Sequence, residues 1–91
     1  MATVQYISPG GEVAGELPLT TEELVRGYRA AARARFFDER AVTLQRQGRL
    51  GVYPPFRGQE AAQVGAALAL TERDWLVPSY RETAAALTHG L

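Results

Sequence analysis

The residues with the clearest chemical meaning are Ser79-Tyr80-Arg81-Glu82, which follow the run Trp75-Leu76-Val77-Pro78. A serine followed three residues later by a glutamate is a capping box, so the pattern predicts a helix opening at Ser79. Arg81 would then stand in the first helical turn, where the helix dipole is positive and a cation costs a few tenths to ~1 kcal/mol. A bound anion removes that conflict, because free backbone N–H groups and a guanidinium would converge on one phosphate-sized site. A surface arginine that pairs with Glu82 or bends into solvent accounts for the same residues, since exposed ion pairs are worth little. On this motif alone both readings stay open.

The rest of the chain excludes more chemistry than it suggests. There is no cysteine and a single histidine, His89, so neither a disulfide framework nor a histidine or thiolate metal cluster is available. No G-x-x-x-x-G-K-[ST], G-x-G-x-x-G or G-x-S-x-G motif is present. A Ser-His-Asp triad would have to combine His89 with Ser8 or Ser79, and nothing in the local pattern supports it. Asp38 and Glu39 are adjacent on a helical stretch and point to different faces, which makes a poor catalytic dyad. Ten arginines, no lysine and ten acidic residues give a formal net charge of +0, which argues against a general nucleic-acid binder. No stretch approaches the ~20 apolar residues of a membrane span, and residues 1–6 lack the features of a secretion signal. A soluble, cytoplasmic protein is expected.

At 91 residues the chain is one small domain or part of a larger one, with a modest core. Residues 1–19 read as an arm: β-prone Val4-Gln5-Tyr6-Ile7, a turn at Pro9-Gly10-Gly11, then a linker through Pro18. A first helix is predicted from about residue 21 to Gln47. Thr20 and Glu23 form its capping box, Leu19 and Leu24 a hydrophobic staple, and Gly48 its stop. Its apolar face runs through Leu24, Tyr28, Ala31, Ala34, Phe37, Ala41 and Leu44, widened by Phe36. The arginines off that face are expected in solvent or paired with Asp38 and Glu39.

Gly48 to Gly58 is the least regular stretch, and it carries apolar Val52, Tyr53 and Phe56. Loops mostly run over the surface, so these side chains either pack under a partner or line a pocket. A second helix, Gln59 to Leu70, is rich in small residues and is expected to be buried and tightly packed. Trp75-Leu76-Val77 is predicted to be a short buried strand. A strand followed by one helix is half of a βαβ unit, so the chain is expected to be incomplete at its C-terminal end.

The order of segments is more specific than any one of them. Phe37-Asp38-Glu39-Arg40, Leu44-Gln45-Arg46-Gln47-Gly48, Gly58-Gln59-Glu60-Ala61-Ala62-Gln63-Val64-Gly65 and Asp74-Trp75-Leu76-Val77-Pro78-Ser79-Tyr80-Arg81-Glu82 follow one another here. This array resembles the N-terminal part of the α subunit of thiamine-diphosphate-dependent 2-oxo acid dehydrogenases, the E1 component, over residues 20–91. The resemblance implies the α/β thiamine-diphosphate-binding fold for the whole subunit. This segment itself would be mainly α, with an N-terminal hairpin or arm and one short buried strand.

It also implies an α2β2 heterotetramer with the cofactor between α and β subunits. The intact enzyme would decarboxylate a 2-oxo acid, pyruvate or a branched-chain acid, and reductively acylate the lipoyl domain of E2. By the same resemblance Tyr80 and Arg81 contact the cofactor, Arg81 at the diphosphate. Val52 and Tyr53 would line the substrate side. Animal pyruvate-type members have a substrate-contacting histidine in this loop, where Pro54 stands here. Some relatives also carry a histidine where this chain has Thr83, so neither role transfers. The family's magnesium ligands, Gly-Asp-Gly and a following asparagine, lie outside this sequence, and the activating glutamate belongs to the β subunit. The chain alone is therefore expected to be inactive. A non-catalytic helical interaction module is the alternative.

Overall fold

The computed structural model describes residues 3–90; Met1, Ala2 and Leu91, the ends of the expected arm and of the expected 20–91 segment, lie outside them. The order is three helices, α1 (Thr21–Arg46), α2 (Glu60–Leu68) and α3 (Thr83–Thr88), joined by long irregular segments. Each helix packs against the other two.

α1 forms where its end signals are complete. The Thr20 hydroxyl accepts the Glu23 N–H at 3.2 Å, and the Glu23 carboxylate accepts the Thr20 N–H at 3.0 Å. Those bonds hold the Glu23 carboxyl below its ordinary pKa. At the other end Gln47 is the C-cap and Gly48 takes φ 72°, a left-handed step that L side chains resist. Before α1, a single antiparallel bridge between Ile7 and Val13 closes a tight turn, with Ser8 N–H on Glu12 O at 2.8 Å and Ala14 N–H on Tyr6 O at 2.8 Å.

The buried stripe of α1 is rotated from the expected one. Ala34, Asp38 and Ala41 are buried, while Tyr28 is 76% and Phe36 75% exposed. Small side chains let the helices approach closely, and the bulky rings are left at the rim. Leu68 of α2 reaches to 3.4 Å from where a Cβ on Gly27 would lie. α2 likewise buries one face, with Val64 and Ala67 inward, but Gly65 meets nothing and is not a point of close approach.

The centre of the core is Ala34, Phe56 and Ala84, with Tyr53 packed against it. Its one large ring therefore comes from the α1–α2 loop. Burying a phenylalanine side chain contributes about 1.5–3 kcal/mol, and two alanines provide the space for this one. The radius of gyration is 15.2 Å, above the roughly 12 Å of a close-packed domain of this length.

Two further expectations fail. Residues 75–77 do not form a strand, buried or otherwise. Trp75 is 91% and Val77 88% exposed, and among the described residues no segment pairs with them. A strand needs a partner for its backbone groups, and an apolar triplet alone does not supply one. The last helix begins at Thr83 rather than at Ser79. Among the described residues no helix is long and apolar enough to cross a membrane.

Candidate functional site

Among the described residues three polar side chains are buried, Asp38, Glu60 and Gln63, and each holds a piece of irregular backbone in place. Asp38 sits within the buried stripe of α1, one turn after Ala34. Its Oδ1 accepts the Tyr53 hydroxyl at 2.7 Å and the Phe56 N–H at 2.9 Å. The carboxylate thus fixes both ends of the segment that carries Pro54 and Pro55. Burial pushes the Tyr53 phenol well above its ordinary pKa, and the neighbouring Asp38 adds to the shift, so this hydroxyl stays a donor.

Glu60 opens α2. One oxygen takes the Arg35 guanidinium, the ion pair that ties α2 to α1, and the other accepts the Gly58 N–H at 2.9 Å. Gly58 stands at φ 91°, a turn that brings its N–H back towards the helix start. Arg35 is the main cause that holds the Glu60 carboxyl down to about 2, with the backbone bonds assisting against desolvation.

Gln63 lies one turn further on and reaches the segment before α3. Its Nε2 donates to the Arg81 carbonyl at 3.0 Å and to Gln59 Oε1 at 3.1 Å, while its Oε1 accepts the Ala85 N–H at 3.3 Å. Arg81 O and Ala85 N are the pair that would make one helical i→i+4 bond. The side-chain amide stands between them.

This is why the capping box at Ser79 is only half made. The Glu82 carboxylate does accept the Ser79 N–H at 2.7 Å, but Ser79 Oγ returns no bond and Glu82 sits at φ −105°, ψ 38°. Arg81 consequently precedes α3 and is not in its first turn. The dipole conflict that pointed to an anion does not exist, and Arg81 does not pair with Glu82.

The geometry around Arg81 makes a different case. Its Nη1 donates to Pro55 O at 2.6 Å, and its guanidinium lies over the Tyr80 ring, 5.5 Å from the centroid. The residue is half-buried, and among the described residues no carboxylate pairs with it. One of five N–H donors is used by Pro55, which leaves a cation in a fixed direction with donors to spare. Tyr80 is 75% exposed and stands beside it.

Of the two loop residues, Tyr53 is turned inward onto Asp38 and packs against Phe37, with ring centroids 6.4 Å apart, whereas Val52 is 97% exposed. The structure therefore joins Tyr80, Arg81 and the Pro55 end of the loop, and holds Tyr53 by the same Asp38 bonds. It does not bring Val52 into contact with them. A separate cleft of about 530 Å³ is lined by Arg26, Arg29, Arg33, Glu72 and His89 and shares no residue with Tyr80 or Arg81.

Asp38 and Gln63 were not legible as site residues. The signal for Asp38 was a carboxylate at core spacing between Ala34 and Ala41; for Gln63 it was an amide on the face of Val64 and Ala67. Asp38 makes no ion pair with the arginines of its own helix.

The chain is 41% identical over 91 residues to the pyruvate dehydrogenase E1 component subunit alpha of Staphylococcus aureus, covering 97% of this chain and 25% of that protein. It is 40% identical to the subunit of the same name in Bacillus subtilis, covering 98% and 25%. To the 3-methyl-2-oxobutanoate dehydrogenase subunit alpha of Mycobacterium tuberculosis it is 45% identical, covering 97% and 25%. The chain thus spans about a quarter of the length of these relatives. No solved structure matches it. Residues 28–91 match the family model described as dehydrogenase E1 component, a span that holds Asp38, the 48–58 loop, Gln63 and Arg81, and the chain belongs to that family.

Proposed function

We propose that this chain is the N-terminal part of the α subunit of a thiamine-diphosphate-dependent 2-oxo acid dehydrogenase E1 component. Residues 20–91 belong to its cofactor-binding α/β domain and residues 1–19 form an arm. The whole enzyme is an α2β2 assembly in the bacterial cytoplasm that takes pyruvate as its 2-oxo acid and passes the acyl group to the lipoyl domain of E2. The observation that carries the reading is the family match together with an oriented, carboxylate-free Arg81 beside Tyr80.

The residues present fit a diphosphate. Pro55 fixes one edge of the Arg81 guanidinium, and the remaining N–H groups form the planar fork that suits phosphate oxygens. Tyr80 supports the guanidinium from below and presents its exposed ring edge to the rest of the cofactor or to substrate. Bound thiamine diphosphate supplies the carbanion chemistry; this chain's residues bind and orient it. The metal on the diphosphate would take its ligands from the Gly-Asp-Gly and asparagine that the family resemblance places outside this sequence. Val52 and Tyr53 form part of the wall on the acyl side, Tyr53 through its ring face and Val52 from its exposed position.

The test is the cofactor dissociation constant of the assembled enzyme. Arg81→Ala removes a charge-assisted contact worth about 1.5–3 kcal/mol, a loss of roughly 10- to 150-fold in affinity. An unchanged constant would sink the role of Arg81. A branched-chain substrate is the second reading, favoured by the 45% identity to the 3-methyl-2-oxobutanoate enzyme's subunit. Turnover of pyruvate against 3-methyl-2-oxobutanoate by the same assembly decides between them.

A further inference from the structure

From its position between Arg81 and Ala85 we infer that Gln63 is a positioning residue for Arg81: it keeps α3 from winding back through residue 81 and so aims the guanidinium at the anion. The inference rests on the proposed role of Arg81 as a diphosphate ligand.

The two groups that Gln63 takes are complementary and fixed in kind. A carbonyl oxygen can only accept and a backbone N–H can only donate, so the amide has one orientation that satisfies both. Gln63 is buried, at 8% relative exposure, and its Nε2 is steadied by Gln59 Oε1 on the preceding turn. Without it, Arg81 O and Ala85 N–H lose their partners, and an i→i+4 bond between the two would satisfy both. That closure would extend α3 by a turn, as the Ser79–Glu82 pair already favours. Arg81 would then rotate with the helix and leave Pro55 O, the acceptor that now orients its side chain. At present Arg81 is held at both ends, main chain by Gln63 and guanidinium by Pro55. Such a pre-set cation loses little freedom when the anion arrives.

The experiment is a double-mutant cycle in the assembled α2β2 enzyme with the full α chain, reading the thiamine diphosphate dissociation constant by calorimetry in the presence of Mg²⁺. Gln63→Met keeps the side-chain length and removes both donor and acceptor. It is expected to weaken the cofactor roughly tenfold, the scale of one lost orienting hydrogen bond. In an Arg81→Ala background the same substitution should cost nothing further, because it acts through a guanidinium that is no longer there. The KM for the 2-oxo acid at saturating cofactor should stay as it was. Gln63→Glu, which keeps an acceptor for Ala85 but offers no donor to Arg81, serves as the second variant should the methionine chain fail to assemble, and should show the same coupling. Equal losses in both backgrounds, or no loss in the parent, would overturn the inference while leaving Arg81 as a ligand. No effect of Arg81→Ala itself would overturn both.

Discussion

Replacing Asp38 by alanine should come close to unfolding this chain. Its Oδ1 is the shared acceptor for the Tyr53 hydroxyl and the Phe56 N–H. Phe56 is 1% exposed, so water cannot take over its amide without opening the core. A hydrogen bond to a charged acceptor contributes about 1.5–3 kcal/mol, and a buried donor left unpaired costs about 1–3 kcal/mol. The Tyr53 hydroxyl is less enclosed and can turn towards solvent, so the two losses do not simply sum. A total of about 3–5 kcal/mol follows, against a whole stability of only about 5–10 kcal/mol for a domain of this length. Asn at 38 retains a carbonyl for both donors and should cost only about 1 kcal/mol, the charge-assisted part of the bonds. Tyr53→Phe removes one of the two and should fall between, at about 1–2 kcal/mol. Urea unfolding followed by far-ultraviolet circular dichroism ranks the three variants by midpoint at a common slope. Helix signal is the right reporter, because Trp75 is already 91% exposed when folded. Alanine within about 1 kcal/mol of the parent would refute the argument, because no surface change is needed to explain so small a loss. Asn as damaging as Ala would show that charge, not acceptor geometry, holds the loop.

The Arg35–Glu60 pair predicts a pH dependence. The Glu60 carboxyl is held down to about 2 in the folded chain, so its stabilising contribution is present above its ordinary value near 4.5 and lost as pH falls from there towards 2. Urea midpoints measured between pH 6 and 2 should fall across that window, and Glu60→Gln should flatten the fall; an unchanged slope would contradict the assignment. Gly48→Ala should destabilise by about 1–2 kcal/mol through backbone strain alone, since the position has φ 72° and a Cβ there meets no atom within 4 Å. Thermal unfolding checks it, and Gly48→Asn should recover part of the loss because asparagine tolerates the left-handed region.

What could be read in advance was what is decided locally. The Thr20–Glu23 box, the Gly48 stop and the start of α2 near Gln59 depend on residues within four positions of one another, and each stands within a residue or two of expectation. Apart from the rotated stripe of α1, the misses involve distant partners. Ser79 and Glu82 promised a helix start by the same rule that works at Thr20, but an amide 18 residues upstream competes for the Arg81 carbonyl. Trp75-Leu76-Val77 had the apolar run of a buried strand without the neighbour that would bury it. Asp38 looked like one more charge on an arginine-rich helix, because its two partners lie 15 and 18 residues further along the chain. The resemblance carried Tyr80 and Arg81 as site residues; local chemistry alone pointed to Arg81 for a reason the fold does not bear out.

Phe56 has a last consequence, for the order in which the chain can fold. α1 carries its own start and stop and can wind from local signals, yet most of a helix's stability in a protein comes from packing its apolar face. The ring that occupies the centre of the core arrives from the loop, and only after the chain between Asp38 and Phe56 has closed on itself. α3 meets its share of the core through Ala84, against the same ring. Closing the 18-residue span between Asp38 and Phe56 is therefore expected to precede completion of the shared core, although α1 and α2 also meet through Arg35–Glu60 and Leu68. Substitutions at Phe56 should slow that step, while those in the caps of α1 should alter only how much helix is waiting when it happens.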